Sequence, residues 1–110
     1  MKLRVNNLTI ETTDAGFLAD PGQWDPGVAE ALAARESIVL TDAHWEIIHF
    51  IRAYYQQFRH LPNARMFTKA IRTQLGEDKG NTRHLYRLFP EGPLKFACKI
   101  AGLPQPRTCI

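Results

Sequence analysis

The sequence predicts a small, mostly α fold of the α+β kind: a helical domain with an N-terminal β-hairpin, a helix-turn-helix-like core and an extended C-terminal arm. Three observations carry this. Apolar residues recur every three to four positions between Trp45 and Leu75, the period of a helix with one buried face. Residues that accept hydrogen bonds from a first helical turn, Asp25, Thr41, Asn63 and Asn81, stand just before runs of helical character. A period-two pattern occupies the first ten residues.

Taken in order, Leu3 and Val5 alternate with polar neighbours, Asn6-Asn7 tolerates positive φ, and Leu8 and Ile10 resume the alternation, which gives a hairpin placed as a lid on the helices. Thr13-Asp14-Ala15-Gly16 is a turn. Asp25-Pro26 sets an N-cap with proline at the first helical position, and Val28 to Glu36 is helix one. Thr41 caps the longest helix, whose expected stripe is Trp45, Ile48, Ile51 beside Arg52, Tyr55 and Phe58; it ends near His60, before Leu61-Pro62. Asn63 opens the next, with Met66, Phe67, Ala70, Ile71 and Leu75 as its apolar face and Gly76 as its stop. Asn81 caps a short helix with Leu85, Leu88 and Phe89 inward. Pro90 stops it, Gly92-Pro93 opens a last helix over Leu94 to Ala101, and Gly102 ends that one. Two prolines and no periodicity mark residues 103–110 as an arm with polyproline stiffness. The expected organisation is one domain over 1–110, with the hairpin at 1–12, the helical body at 26–101 and the arm at 102–110.

A chain of 110 residues, 45% hydrophobic and 23% charged, suffices for one core without staples and is too apolar for a disordered tail. The most apolar stretch, Trp45 to Tyr55, contains Glu46, His49 and Arg52, which excludes a membrane-spanning helix there. Met1-Lys2-Leu3-Arg4-Val5 turns polar before a secretory h-region forms, so the expectation is a soluble, cytoplasmic protein without a static disulfide. Charge is segregated: residues 1–50 carry a net −5 and residues 51–110 a net +8. The basic half is either an ordinary solvated surface or a face for an anionic partner, nucleic acid or acidic protein.

Both cysteines lie in the last thirteen residues. Cys109, on the arm, is placed to enter another protein's active site as a nucleophilic thiolate; otherwise it belongs to a tail without chemistry. Arg107 favours its thiolate and the terminal carboxylate opposes it. Cys98 is either a small buried apolar residue of the last helix or a resolving thiol for Cys109, which a ten-residue connection permits. His44, His49, His60 and His84 are not at ligand spacing from a cysteine, so no metal site is expected, and His44 and His49 read as structural or surface residues. No glycine-rich phosphate loop, serine triad or carboxylate pair is present, and no cofactor is implied. Thr41 to Leu75, with Arg59, Arg65, Lys69 and Arg72, leaves open a redox-regulated, DNA-binding helix-turn-helix, although the linker Arg59-His60-Leu61-Pro62-Asn63 lacks the usual glycine.

Lys79-Gly80-Asn81-Thr82-Arg83, Leu85-Tyr86-Arg87-Leu88-Phe89-Pro90, Gly92-Pro93, Cys98-Lys99-Ile100-Ala101-Gly102-Leu103-Pro104 and the penultimate Cys109 resemble the TusE/DsrC family of sulfur-relay proteins. Trp24 with Pro26, Leu40 through His44-Trp45-Glu46, and Pro62 also fit, so the resemblance covers nearly the whole chain. It implies a mostly helical fold with a β-hairpin and a mobile arm, and a persulfide carried on Cys109. In the TusE branch sulfur comes from a TusBCD-type donor complex and passes to a tRNA thiouridylase that makes 2-thiouridine at the wobble position. In the DsrC branch the arm enters a dissimilatory sulfite reductase and a second cysteine helps form a disulfide or trisulfide. Cys98 matches that second cysteine, while Leu85 to Pro90, Lys99-Ile100 and Cys109-Ile110 look more like TusE. The expected activity is that of a sulfurtransferase component without a complete active site of its own, with Arg83, Arg87, Lys95, Lys99 and Arg107 steering an acidic partner surface or a tRNA-bound acceptor.

Overall fold

The computed structural model describes residues 2–5 and 7–106. Strands β1 (Lys2–Val5) and β2 (Leu8–Glu11) form an antiparallel hairpin with Leu3 opposite Ile10 and Val5 opposite Leu8. Asn7 takes a φ of 68°, as a tight hairpin turn demands. Leu3 and Ile10, on one face of the pair, are buried against the helices. A bridge between Thr12 and Leu18 and a 3-10 turn over Pro21–Gln23 lead into the helical body.

The helices are α1 (Pro26–Arg35), α2 (Asp42–Phe58), α3 (Ala64–Leu75), α4 (Thr82–Leu88) and α5 (Pro93–Ile100). Their starts follow from side-chain caps: Asp25, Asn63 and Asn81 each accept from a backbone N–H three residues on, at 2.8 Å. α5 is the central element. Six of its eight residues are buried, and it packs against α1, α2, α3 and α4. Leu94, Phe96, Ala97, Cys98 and Ile100 leave it apolar almost all round, which suits a helix enclosed by others. Burying each of Leu94, Phe96 and Ile100 contributes about 1.5–3 kcal/mol.

Two apolar faces differ from expectation. On α2 the buried residues are His44, Ile47, Ile48 and Ile51, whereas Phe58 is exposed; on α3 Phe67 and Ile71 are buried and Met66 is exposed. The buried residues of α2 all lie in its N-terminal part, between His44 and Ile51. His44 occupies the core through full pairing. Its Nδ1 accepts from the Thr41 N–H at 3.1 Å, which leaves Nε2–H to donate to the Leu88 carbonyl at 2.8 Å. The α2–α3 junction needs no glycine, since Arg59 itself adopts the left-handed conformation, φ 61°, and its N–H donates to Tyr55 O. Among the described residues no helix is long and apolar enough to cross a membrane.

Candidate functional site

The C-terminal end of α5 is where the chain leaves the body. An α-helix ends with four carbonyls lacking an intrahelical donor, and here each of them has one. Leu103 N–H donates to Cys98 O at 3.0 Å and Gly102 N–H to Lys99 O at 3.2 Å, the paired bonds of a Schellman turn with Gly102 at φ 72°. Trp24 Nε1–H donates to Ile100 O at 2.8 Å and Arg52 Nη1 to Ala101 O at 2.7 Å. The Arg52 guanidinium lies 3.9 Å from the Trp24 ring centroid, so the two donors also hold each other. Burial pulls Arg52 down from its ordinary pKa, and the carbonyl and the indole face replace the lost water.

The first residues of the expected arm follow directly from this arrangement. Gly102, Leu103 and Pro106 are buried, while Pro104 and Gln105 are exposed. Pro104 and Gln105 border a groove of about 690 Å³ whose other wall is Tyr55, Arg59, His60, Leu61, Pro62 and Asn63. Arg107 and Cys109 lie outside the described residues.

Cys98 is a free thiol, 0% exposed, and burial pushes its pKa up to about 12. A thiol held there has about a thousandfold less thiolate at neutral pH than one titrating near 9. Two consequences follow with a definite sign. Alkylation of Cys98 in the folded chain is expected to be at least a hundredfold slower than in urea at pH 8, as mapped by mass spectrometry. Because the folded thiol keeps its proton to higher pH than the unfolded one, its contribution to stability is complete below about pH 9 and is lost as pH rises toward 12. Equal alkylation rates in the folded and urea-unfolded chain would refute the buried placement.

The expected docking cations divide into two groups. Arg83 and Arg87 on α4 and Lys95 on α5 are exposed. Lys99 is not: it is 7% exposed, its Nζ sits 3.3 Å from Glu36 Oε1, and the Phe96 ring centroid is 4.5 Å away. Its charge is satisfied inside the chain, which departs from the expected partner-facing role. Arg52 and Glu36 were not singled out as site residues from sequence, and Trp24 entered only through the resemblance. The signal for Arg52 was its place beside Ile51 in an apolar run, where a cation needs a specific partner. Among the described residues no group of His, Cys, Asp and Glu is arranged to hold a metal.

The chain matches the family described as DsrC like protein over residues 4–110. It is 50% identical over 108 residues to a protein of Haemophilus influenzae named sulfurtransferase TusE homolog, covering 98% of this chain and 99% of that one. It is 52% identical over 101 residues to the sulfurtransferase TusE of Photorhabdus laumondii, covering 92% and 91%. Among solved structures, Allochromatium vinosum DsrC superposes with a TM-score of 0.90 at 41% identity over 99% of this chain and 97% of that one. The oxidized gamma-subunit of the dissimilatory sulfite reductase of Archaeoglobus fulgidus, DsrC, gives 0.85 at 41% identity over the whole of both chains. With motifs, full-length sequence similarity and fold in agreement, the chain belongs to the DsrC-like family.

Proposed function

We propose that this protein is a cytoplasmic sulfur carrier of the TusE type, taking sulfane sulfur as a persulfide on Cys109 and relaying it toward 2-thiouridine at the tRNA wobble position. The observation that carries the reading is about half identity over almost the entire chain to proteins named sulfurtransferase TusE. In the step proposed, the Cys109 thiolate attacks the outer sulfur of a donor persulfide held by a TusBCD-like complex. The donor S–S bond breaks, its electron pair stays on the donor thiolate, and a new S–S bond forms on Cys109. An acceptor thiouridylase thiolate then repeats the attack on the outer sulfur, so no external oxidant or reductant enters. Donor and acceptor supply the enclosing pockets; the body supplies a fixed origin for the tail at Gly102, with Arg83, Arg87, Lys95 and Arg107 as docking cations.

The alternative, a Cys98–Cys109 pair cycling with a dissimilatory sulfite reductase, draws on structural relatives of that name. Burial of Cys98 favours the relay, because a thiol titrating near 12 is a poor attacking group. Incubation with a sulfur-loaded donor is expected to add the mass of one sulfur atom to the Cys109 peptide and none to the Cys98 peptide. In a strain lacking the gene, wild-type protein should restore wobble 2-thiouridine and Cys109→Ser should not. Sulfur found on Cys98 alone, or rescue by Cys109→Ser, would overturn the reading.

A further inference from the structure

A second face of the molecule is basic. α3, α4 and α5 contain no Asp or Glu, and their exposed cations are Arg65, Lys69, Arg72, Arg83, Arg87 and Lys95; Lys99 is buried against Glu36. Between α3 and the α4–α5 pair lies a groove of about 500 Å³. Arg65, Lys69 and Arg72 stand along one wall, Thr82 and Tyr86 along the other, and Phe67, Leu85 and Leu94 contribute apolar surface. Positions 65, 69 and 72 follow the i, i+4, i+7 spacing, so the three cations form one row on α3, about 10 Å long at 1.5 Å per residue. Arg65 and Lys69 are exposed and form no ion pair among the described residues, whose bridges are Lys79–Glu46 and Lys99–Glu36. Arg72 donates from Nε to Gly80 O at 3.1 Å, which orients its guanidinium from behind. Across the groove Tyr86 leaves 49% of its surface in solvent, an unusual position for an aromatic on a helix whose Leu85 and Leu88 are buried.

We propose that this groove binds an unpaired RNA segment, with phosphates on Arg65, Lys69 and Arg72 and a base stacked on Tyr86. A cationic row facing an exposed aromatic is the combination by which single strands are held: charge follows the backbone and a ring takes a base face without needing its sequence. An acidic protein surface would also satisfy the cations, and competition by polyglutamate together with the Tyr86 substitutions separates that occupant from RNA. The choice of RNA among single strands rests on the tRNA-directed reading above; the charge and stacking argument does not.

Fluorescence anisotropy of the purified full chain with labelled oligouridylate and with an unmodified tRNA transcript tests this. The expected result is binding to both, with a log–log salt slope near −2, about 0.7 for each of three phosphate contacts. Arg65→Ala with Lys69→Ala should reduce the slope to about −0.7. Tyr86→Leu should weaken binding about tenfold with the slope unchanged, and Tyr86→Phe should restore it. Sulfur loading of Cys109 from the donor should be unaffected by Arg65→Ala and Lys69→Ala, so absence of loading in the wild type would count against the carrier role, whereas absence of RNA binding would count against the groove. No binding at low salt, binding indifferent to these substitutions, or polyglutamate competing as well as RNA irrespective of residue 86 would each overturn the proposal.

Discussion

Gly102→Ala is expected to destabilise the protein by about 3–5 kcal/mol, a large share of the total stability of a domain this size. Two costs add. Gly102 has φ 72°, where an alanine Cβ crowds its own backbone at about 1 kcal/mol. A Cβ there would also lie 2.7 Å from Trp24 Cγ and 2.8 Å from Trp24 Cβ, so the indole must move. Movement breaks the bond to Ile100 O and unstacks Arg52, leaving two carbonyls at the end of α5 without donors. Thermal and urea unfolding would register this as a fall in Tm of more than about 12 °C. A change within 1 kcal/mol would mean that Trp24 does not hold the tail root in solution.

Gly80→Ala is the second large effect, about 2–4 kcal/mol, and its origin is purely steric. Gly80 lies outside the left-handed region, so alanine suits its local conformation. The added Cβ, however, would run into the backbone N and Cα of Arg72 and approach Arg72 Cβ to 2.5 Å. Backbone inside a helix does not yield as a side-chain tip does, so the 76–80 loop must lift from α3 and the Arg72 bond to Gly80 O must lengthen. Hydrogen exchange should then quicken in α4 and at the end of α3 while the β-hairpin keeps its protection. Equal destabilisation everywhere, or none, would contradict this account.

Local chemistry was legible in the sequence. Asp25, Asn63 and Asn81 cap the helices they precede because a short side chain reaching a backbone N–H three residues away is a matter of neighbours. The arrangement of α2 and α3 was legible too, although Arg59 rather than glycine makes the turn. What escaped lies in long-range partners. His44 meets the carbonyl of Leu88, Lys99 meets Glu36, and Trp24 meets Ile100, pairings 44, 63 and 76 residues apart that no periodicity announces. Periodicity places Phe58 and Met66 inward, yet both are exposed, because a periodic stripe shows which residues share a face but not where along its length a neighbouring helix packs. At the candidate site, the sequence leaves Cys98 open between a core residue and a resolving thiol; the structure buries it in the core cluster.

The end of α5 also governs where mechanical load goes when the chain is drawn from its C-terminal side. A terminal strand or a surface helix peels away bond by bond under tension. Here the pull meets the buried Pro106, then Leu103, Gly102, Trp24 and Arg52, and then a helix in contact with all four others. Load entering at this end therefore reaches α5 and, through its contacts, the other four helices together.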